Sequence, residues 1–466
     1  MSKADHDITA GDMRARIDFL ASDMLRGRDT PSPGLEIAAE YIEAEFRRFG
    51  LEPVEGVGYR QTYRLARSEM GDGWSLTFSR GRRRAKLNHR SDFWGLPWAA
   101  GAVEGPVRFV GARPPDETGM TGEAGIWIGH LATGWSARDW LSAATAAGAS
   151  ALILVLSKEV ETQVRDWIGD GESLYELGDL QPTLPAALIS EESLAAALSQ
   201  LGLESQTVGA GAAGAQALTA RLAADLRIET GLAPNVVGIL RGRDPQLREQ
   251  YVLLSAHMDG LGVGVPVDGD SIYNGADDNA SGTAAILEMA EAAAALKTKP
   301  KRSLIFLTVS GEEKGLLGST WFVNHPPISL SRIIADLNID MIGRNWEDTI
   351  AVIGRPYTTL GALVDSVAMA NPEFGVTVVG DLWPAERFFF RSDHFNFARN
   401  GIPAVFFFNG VHEDYHRPSD EADRIKVEKA ARVVRLIFEV ALALAEAEEV
   451  PRWDPRAMAA IVGGVR

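Results

Sequence analysis

Apolar positions recur at three-to-four spacing near the start of the chain. Met13, Ile17, Leu20 and Met24 mark one face of a helix over Asp12–Leu25. Pro33-Gly34 is a turn signal. Ile37, Ala38, Tyr41, Ile42 and Phe46 then predict a second amphipathic helix that stops near Gly50. The stretch to about residue 100 holds only short strand-like pieces. From about Gly101 the texture changes. Val107–Val110, Ala124–Ile128 and Ala151–Val155 read as short buried strands, and Ser136–Ala147 as an alanine-rich helix closed by Gly148. The low-complexity run Gly209–Ala215 reads as a hinge or linker.

Beyond that run, strand and helix alternate. Tyr251–Ala256, Ser303–Val309, Ile333–Ile339 and Ala404–Asn409 are apolar, β-rich segments, and helices such as Ser281–Leu296 lie between them. The alternation predicts an α/β fold with a mixed, mostly parallel central sheet covered by helices on both faces. In such sheets, chemistry collects at the carboxyl ends of the strands. The expected division is 1–95 as N-terminal helices and the first part of the main domain, 96–215 as a smaller inserted α/β domain, 216–448 as the main domain, and 449–466 as a tail.

Composition narrows the chemistry. A length of 466 residues favours more than one domain, and a net charge of −17 argues against nucleic acid or an anionic membrane surface as partner. The one basic run, Arg82-Arg83-Arg84 with Lys86, reads as an exposed turn or strand edge. No apolar stretch approaches the ~20 residues that span a bilayer. Met1–Asp5 leads into polar sequence with no apolar leader region, which leaves the compartment open. Cysteine is absent, so disulfides, thiolate metal sites and a cysteine nucleophile are excluded together. Any metal must be held by carboxylates and by some of the eight histidines.

Five polar clusters lie at or near predicted strand ends. His257-Met258-Asp259 closes the first strand, an arrangement suited to a ligand with a carboxylate behind it. Asn274–Gly282 opens the following helix with Asp277-Asp278. One acid there would cap the helix, whereas a neighbour with two oxygens can bridge two cations. Glu312-Glu313 follow the strand Ser303–Val309. Adjacent buried acids repel unless a cation lies between them, so one would ligate while the other holds water as a general base. Asp340 ends the next strand, and Asp414–Asp420, with His416, follows the last. Singly, each has an ordinary structural explanation. Together they supply His257, Asp278, a Glu of the 312–313 pair, Asp340 and His416 as nitrogen and oxygen ligands. Two metals about 3.5–4 Å apart, with an activated bridging water, are a known solution for hydrolysis.

These motifs resemble the zinc aminopeptidase family that includes bacterial leucyl aminopeptidases, yeast aminopeptidase Y and the glutamate carboxypeptidases. The similarity runs from about Ile8 to Ile437. It implies two zinc ions, with cobalt or manganese suited to the same ligands. In that pattern Asp278 bridges the metals, His257 and Asp340 complete one, and Glu313 and His416 the other. Glu312 matches the base and Asp259 the carboxylate behind His257. Residues from about Val103 to Ala196 resemble a protease-associated domain. Arg391-Ser392-Asp393-His394 resembles a stretch near the substrate pocket, so Arg391, Asp393, His394 and Tyr273 are the substrate-side candidates, with a structural role open for His394. His6, His89, His130 and His325 lie outside every motif, and His412 precedes His416 by a helix-ligand spacing in a loop context.

The resemblance implies an aminopeptidase acting on peptides. A carboxypeptidase or dipeptidase, with Arg387 and Arg391 as cationic candidates, and a non-catalytic binding homologue are the alternatives. Oligomeric state is open. Relatives with such an insert are often exported.

Overall fold

The computed structural model describes residues 8–114, 124–132, 136–162, 173–203 and 218–463. His6 and the run Gly209–Ala215 lie outside the described residues. The chain forms two compact units, Met1–Arg64 with Leu232–Arg466, and Leu65–Gly231.

In the first unit the chain begins with a helix over Ala10–Leu20 whose N-cap, Thr9, accepts a hydrogen bond from the backbone of Asp12. This helix ends sooner than the apolar spacing predicts. Met24, counted on the apolar face, is 85% exposed, and Asp23–Arg28 is a tighter turn in which Arg26, Gly27 and Arg28 all have positive φ. The second helix, Pro33–Phe49, ends on Gly50 in the left-handed conformation, as its Gly predicts.

The main sheet has Tyr251–His257 near its centre. That strand runs parallel to Ser303–Val309 on one side and Ile333–Ile339 on the other. Ala404–Phe408 extends the parallel set beside Ile333–Ile339. Thr349–Ile353 then runs antiparallel to Ala404–Phe408, and Leu226–Leu240 antiparallel to Ser303–Val309. The sheet is therefore mixed, with a parallel centre. Its central strands are buried on both faces, which is why they read as unbroken apolar runs. Gly282–Ala295 and Val427–Glu446 pack on one face, and Leu317–Asn324 and His394–Arg399 on the other.

The second unit has its own core and, among the described residues, an eight-stranded mixed sheet. Its parallel centre is Gly101–Gly111, Ile126–Leu131, Ala151–Leu156 and Ala186–Ser190. The helix Ala137–Ala146 starts with a reciprocal capping box between Ser136 and Asp139. The unit begins at Leu65 and ends at Gly231, wider than the 96–215 expected from composition. Trp74, Leu76, Phe78 and Phe93 lie in the same buried cluster as Ile126–Ile128 and Ala151–Leu156. The basic run sits on Arg83–Leu87, an edge strand of this sheet.

Candidate metal centre

The three central parallel strands deliver their carboxyl ends to one edge of the sheet. His257 is the last residue of its strand, and Thr283 Oγ1 donates to its carbonyl at 2.8 Å. Asp340 directly follows Ile339, and Glu312-Glu313 follow Val309 by a short turn. Asp278 comes from the Ala276–Ser281 turn that opens the helix at Gly282. Gly275 makes this turn possible. Its φ is +59°, and a Cβ there would lie 2.2 Å from the carbonyl oxygen of Asp278. Asp420 holds the turn from outside: its carboxylate accepts from the backbone N–H of Asp277 at 3.0 Å and of Asp278 at 3.1 Å.

His416 lies in the loop after the strand Ala404–Phe408, and its own φ is +56°. Such a conformation costs a non-glycine residue about 1–3 kcal/mol and persists only where its surroundings enforce it. The enforcement here is Asp414, which accepts from Ser419 Oγ at 2.7 Å, Arg344 at 2.6 Å and Arg424 at 3.1 Å.

The five expected ligands form two overlapping groups, His257 with Asp278 and Asp340, and Asp278 with Glu313 and His416. Within each group the ligand atoms lie within 4.8 Å of one another. Asp278 belongs to both and divides its oxygens between them. Oδ1 is 3.2 Å from His257 Nε2, and Oδ2 is 3.2 Å from His416 Nε2. Asp340 Oδ1 is 3.3 Å from His257 Nε2, and Glu313 Oε2 is 3.5 Å from His416 Nε2. Asp259 stands behind His257 with Oδ1 3.6 Å from Nδ1, too far for a hydrogen bond and close enough for charge attraction. The same carboxylate is held by Thr30 Oγ1 at 3.1 Å and accepts from the Glu312 N–H at 3.3 Å.

The electrostatics call for positive charge. Burial raises the carboxyls of Glu312, Glu313 and Asp340 above the usual range, and neighbouring acids add to the shift in each case. Burial pulls His257 the other way, but Asp340 and Glu312 outweigh it and hold the imidazole well above its ordinary pKa. Divalent cations would relieve this crowding, and the donor set of imidazole and carboxylate fits them.

The other candidates fall in different places. Tyr273 lines a small depression with Asp278, Glu313 and His416. Arg391 is partly exposed, 3.6 Å from Glu386 and stacked over Phe388. Asp393 and His394 have no exposed surface, which for His394 fits the structural alternative. Asp393 accepts from Ser319 Oγ at 2.5 Å, and His394 lies among the rings of Phe389 and Phe406. His412 is not on a helix with His416. Its Nε2 faces Asp277 Oδ2 at 3.3 Å.

One central residue had no sequence signal. Arg28 is buried and donates to the carbonyls of Leu20, Met258, Asn274 and Gly275, which ties both ligand-bearing turns to the N-terminal segment. In the sequence it is one arginine among the charges of Arg26–Asp29.

The α/β sheet thus gathers, at the carboxyl edge of its parallel strands, two overlapping groups of imidazole and carboxylate that could each hold a cation. Residues 235–441 match the model described as Peptidase family M28. Aminopeptidase YwaD of Bacillus subtilis is 27% identical over 257 residues, 53% of this chain and 52% of that protein. A "probable zinc metalloprotease" of Leptosphaeria maculans is 26% identical over 47% of this chain and 58% of its own length. The chain thus spans about half the length of these curated relatives. An aminopeptidase from Aneurinibacillus sp. strain AM-1 has a similar fold, with a TM-score of 0.59 and 22% identity over 97% of this chain and 98% of that one. BSAP, a zinc aminopeptidase from Bacillus subtilis, superposes with a TM-score of 0.51 and 20% identity over 95% of this chain and 96% of its own.

Proposed function

We propose that this protein is a di-zinc aminopeptidase that releases N-terminal residues from peptides. The observation that carries the reading is Asp278, whose two carboxylate oxygens face two different imidazoles, each within a separate ligand group. The zinc and the amino-terminal restriction come from the relatives, several of which are named as aminopeptidases or zinc proteases.

In this reading His257, Asp278 and Asp340 would hold one ion, and Asp278, Glu313 and His416 the other. Cobalt or manganese would suit the same ligands. Bound there, the ions would supply Lewis acidity toward the scissile carbonyl and lower the pKa of the attacking water. Glu312 is the general base: it takes the water's proton and passes it to the leaving amine. The assignment is supported by the position of Glu312, whose backbone N–H donates to Asp259 and whose buried carboxyl lies in the field of His257, Glu313 and Asp340. Asp259 orients His257 from behind.

Replacing Glu312 with Ala tests the assignment. Release of chromophore from aminoacyl-anilides should fall by about 10²–10⁴-fold, the usual share of a general base, while zinc content stays at two ions per chain. Unchanged turnover would remove Glu312 as the base. A substrate with a blocked amine decides the other question, because an aminopeptidase loses it and a carboxypeptidase or dipeptidase does not.

A further inference from the structure

The strand Ile333–Ile339 carries a polar stripe that the metal ligands do not explain. Asp336, Asn338 and Asp340 are spaced by two, so their side chains share one face of the strand. Ser255 of the neighbouring strand is the register partner of Asn338. All four are buried, and the other residues of Ile333–Ile339 are Ile, Leu and Ala. Asp336 is the anomaly, a fully buried carboxyl with one oxygen that has no hydrogen-bond partner among the described residues. An ionised carboxylate left so would cost several kcal/mol.

The contacts form a chain. Asp336 Oδ1 is 2.7 Å from Ser255 Oγ, and Ser255 Oγ is 3.0 Å from Asn338 Oδ1. Asn338 Nδ2 is 2.9 Å from Ser392 Oγ, and Ser392 Oγ is 2.8 Å from Asp340 Oδ2. Proton counting gives this chain a direction. A ligand carboxylate only accepts, so Ser392 must donate to Asp340. Ser392 has then spent its only proton and must accept from the Asn338 amide. That orients the amide with its oxygen toward Ser255, which must donate to it. Ser255 has no proton left for Asp336. Every contact is a hydrogen bond only if Asp336 is itself the donor.

We infer that Asp336 is held as a neutral carboxylic acid and acts as a positioning residue, the first donor of a one-way chain through Ser255, Asn338 and Ser392 to the ligand Asp340. This rests on the proposed role of Asp340 as a ligand. The chain fixes the orientation of Asp340 and draws electron density from its outer oxygen. The inner oxygen stays free to face a cation. Burial raises the Asp336 carboxyl well above the ordinary carboxylate range, and the buried Asp393 on the same side of the sheet adds to the shift.

The test uses the full chain and the variants Asp336→Asn, Asp336→Ala and Ser255→Ala. Infrared difference spectra of wild type against Asp336→Asn should show, at neutral pH, loss of the carbonyl stretch of a protonated carboxylic acid. The band should be present both with zinc and after chelation. Asn can still donate to Ser255, so Asp336→Asn should keep zinc affinity within about twofold, whereas Asp336→Ala should weaken it by about 10–100-fold and lower kcat more than KM. Ser255→Ala should shift the acid band by removing its acceptor, which keeps the test decisive if Asp336→Ala does not fold. The absence of an acid band, an unshifted band in Ser255→Ala, or equal zinc loss in Asp336→Asn and Asp336→Ala would each overturn the inference. The band and the zinc titration need no peptidase turnover, so a failure of the aminopeptidase reading would be seen separately.

Discussion

Arg28 and Asp278 show how far single residues are determined by their surroundings. Asp278 faces two imidazoles because Gly275 bends the preceding chain and Asp420 caps the turn from the other side. Arg28 is buried under the same turn, where its charge offsets an acid-rich cluster and its fork spans four carbonyls. Burial lowers its pKa to about 10, well within the protonated state at neutral pH, and Asp259 and Asp420 act against the shift. Arg28→Met should therefore leave buried carbonyls and carboxylates without their partner. The expected cost is about 3–5 kcal/mol in urea unfolding of the zinc-loaded protein. A loss under about 1 kcal/mol would mean that water replaces the guanidinium.

Among elements, the short helix His394–Arg399 lies under the Ala404–Phe408 strand. His394, its first residue, is buried among aromatic rings, and burial lowers its pKa to about 3. The folded state thus favours the neutral imidazole. The unfolded chain takes up its proton near pH 6.5, so the contribution to stability is complete above that pH and is lost progressively as pH falls from about 6.5 toward 3. The loss should be on the order of a few kcal/mol by pH 4. His394→Phe keeps the ring and removes the titration, so its stability should fall less steeply than wild type over that window. Parallel slopes in acid titrations followed by circular dichroism would rule this out. The N-terminal helix makes a different point at the same scale. Apolar spacing extends it to Leu25, yet it stops at Leu20, and a separate turn over Asp23–Arg28, capped by Ser22, follows with Arg28 buried.

The two units have separate cores, and the proposed ions would bind only the one containing Met1–Arg64 and Leu232–Arg466. Ligand binding stabilises a folded state by mass action, about 2.7 kcal/mol at a free concentration of 100 Kd. Chelation should therefore lower the melting temperature of that unit while a transition of Leu65–Gly231 stays in place in calorimetry. It should also restore the repulsion among Glu312, Glu313, Asp278 and Asp340 that bound cations would screen. Equal shifts in both transitions, or none, would contradict a structural contribution from bound metal in this unit. Among the described residues, no helix is long and apolar enough to cross a membrane.

The sequence alone determined the parts that follow from local patterning. Apolar runs located the central strands almost to the residue, because strands buried on both faces must be continuously apolar. The acids and histidines at their ends stood out as possible ligands because they break that apolarity at the carboxyl edge. Leu226–Leu240 was not legible, since its first half is exposed and polar and only its second half enters the core. Tertiary structure alone decided that Arg28 belongs to the site, that Asp393 and His394 lie beneath it, and that Asp336 joins a chain leading to Asp340. Those facts depend on contacts between residues far apart in sequence. A buried charge and an exposed one are written with the same letter, and only the packing around each tells them apart.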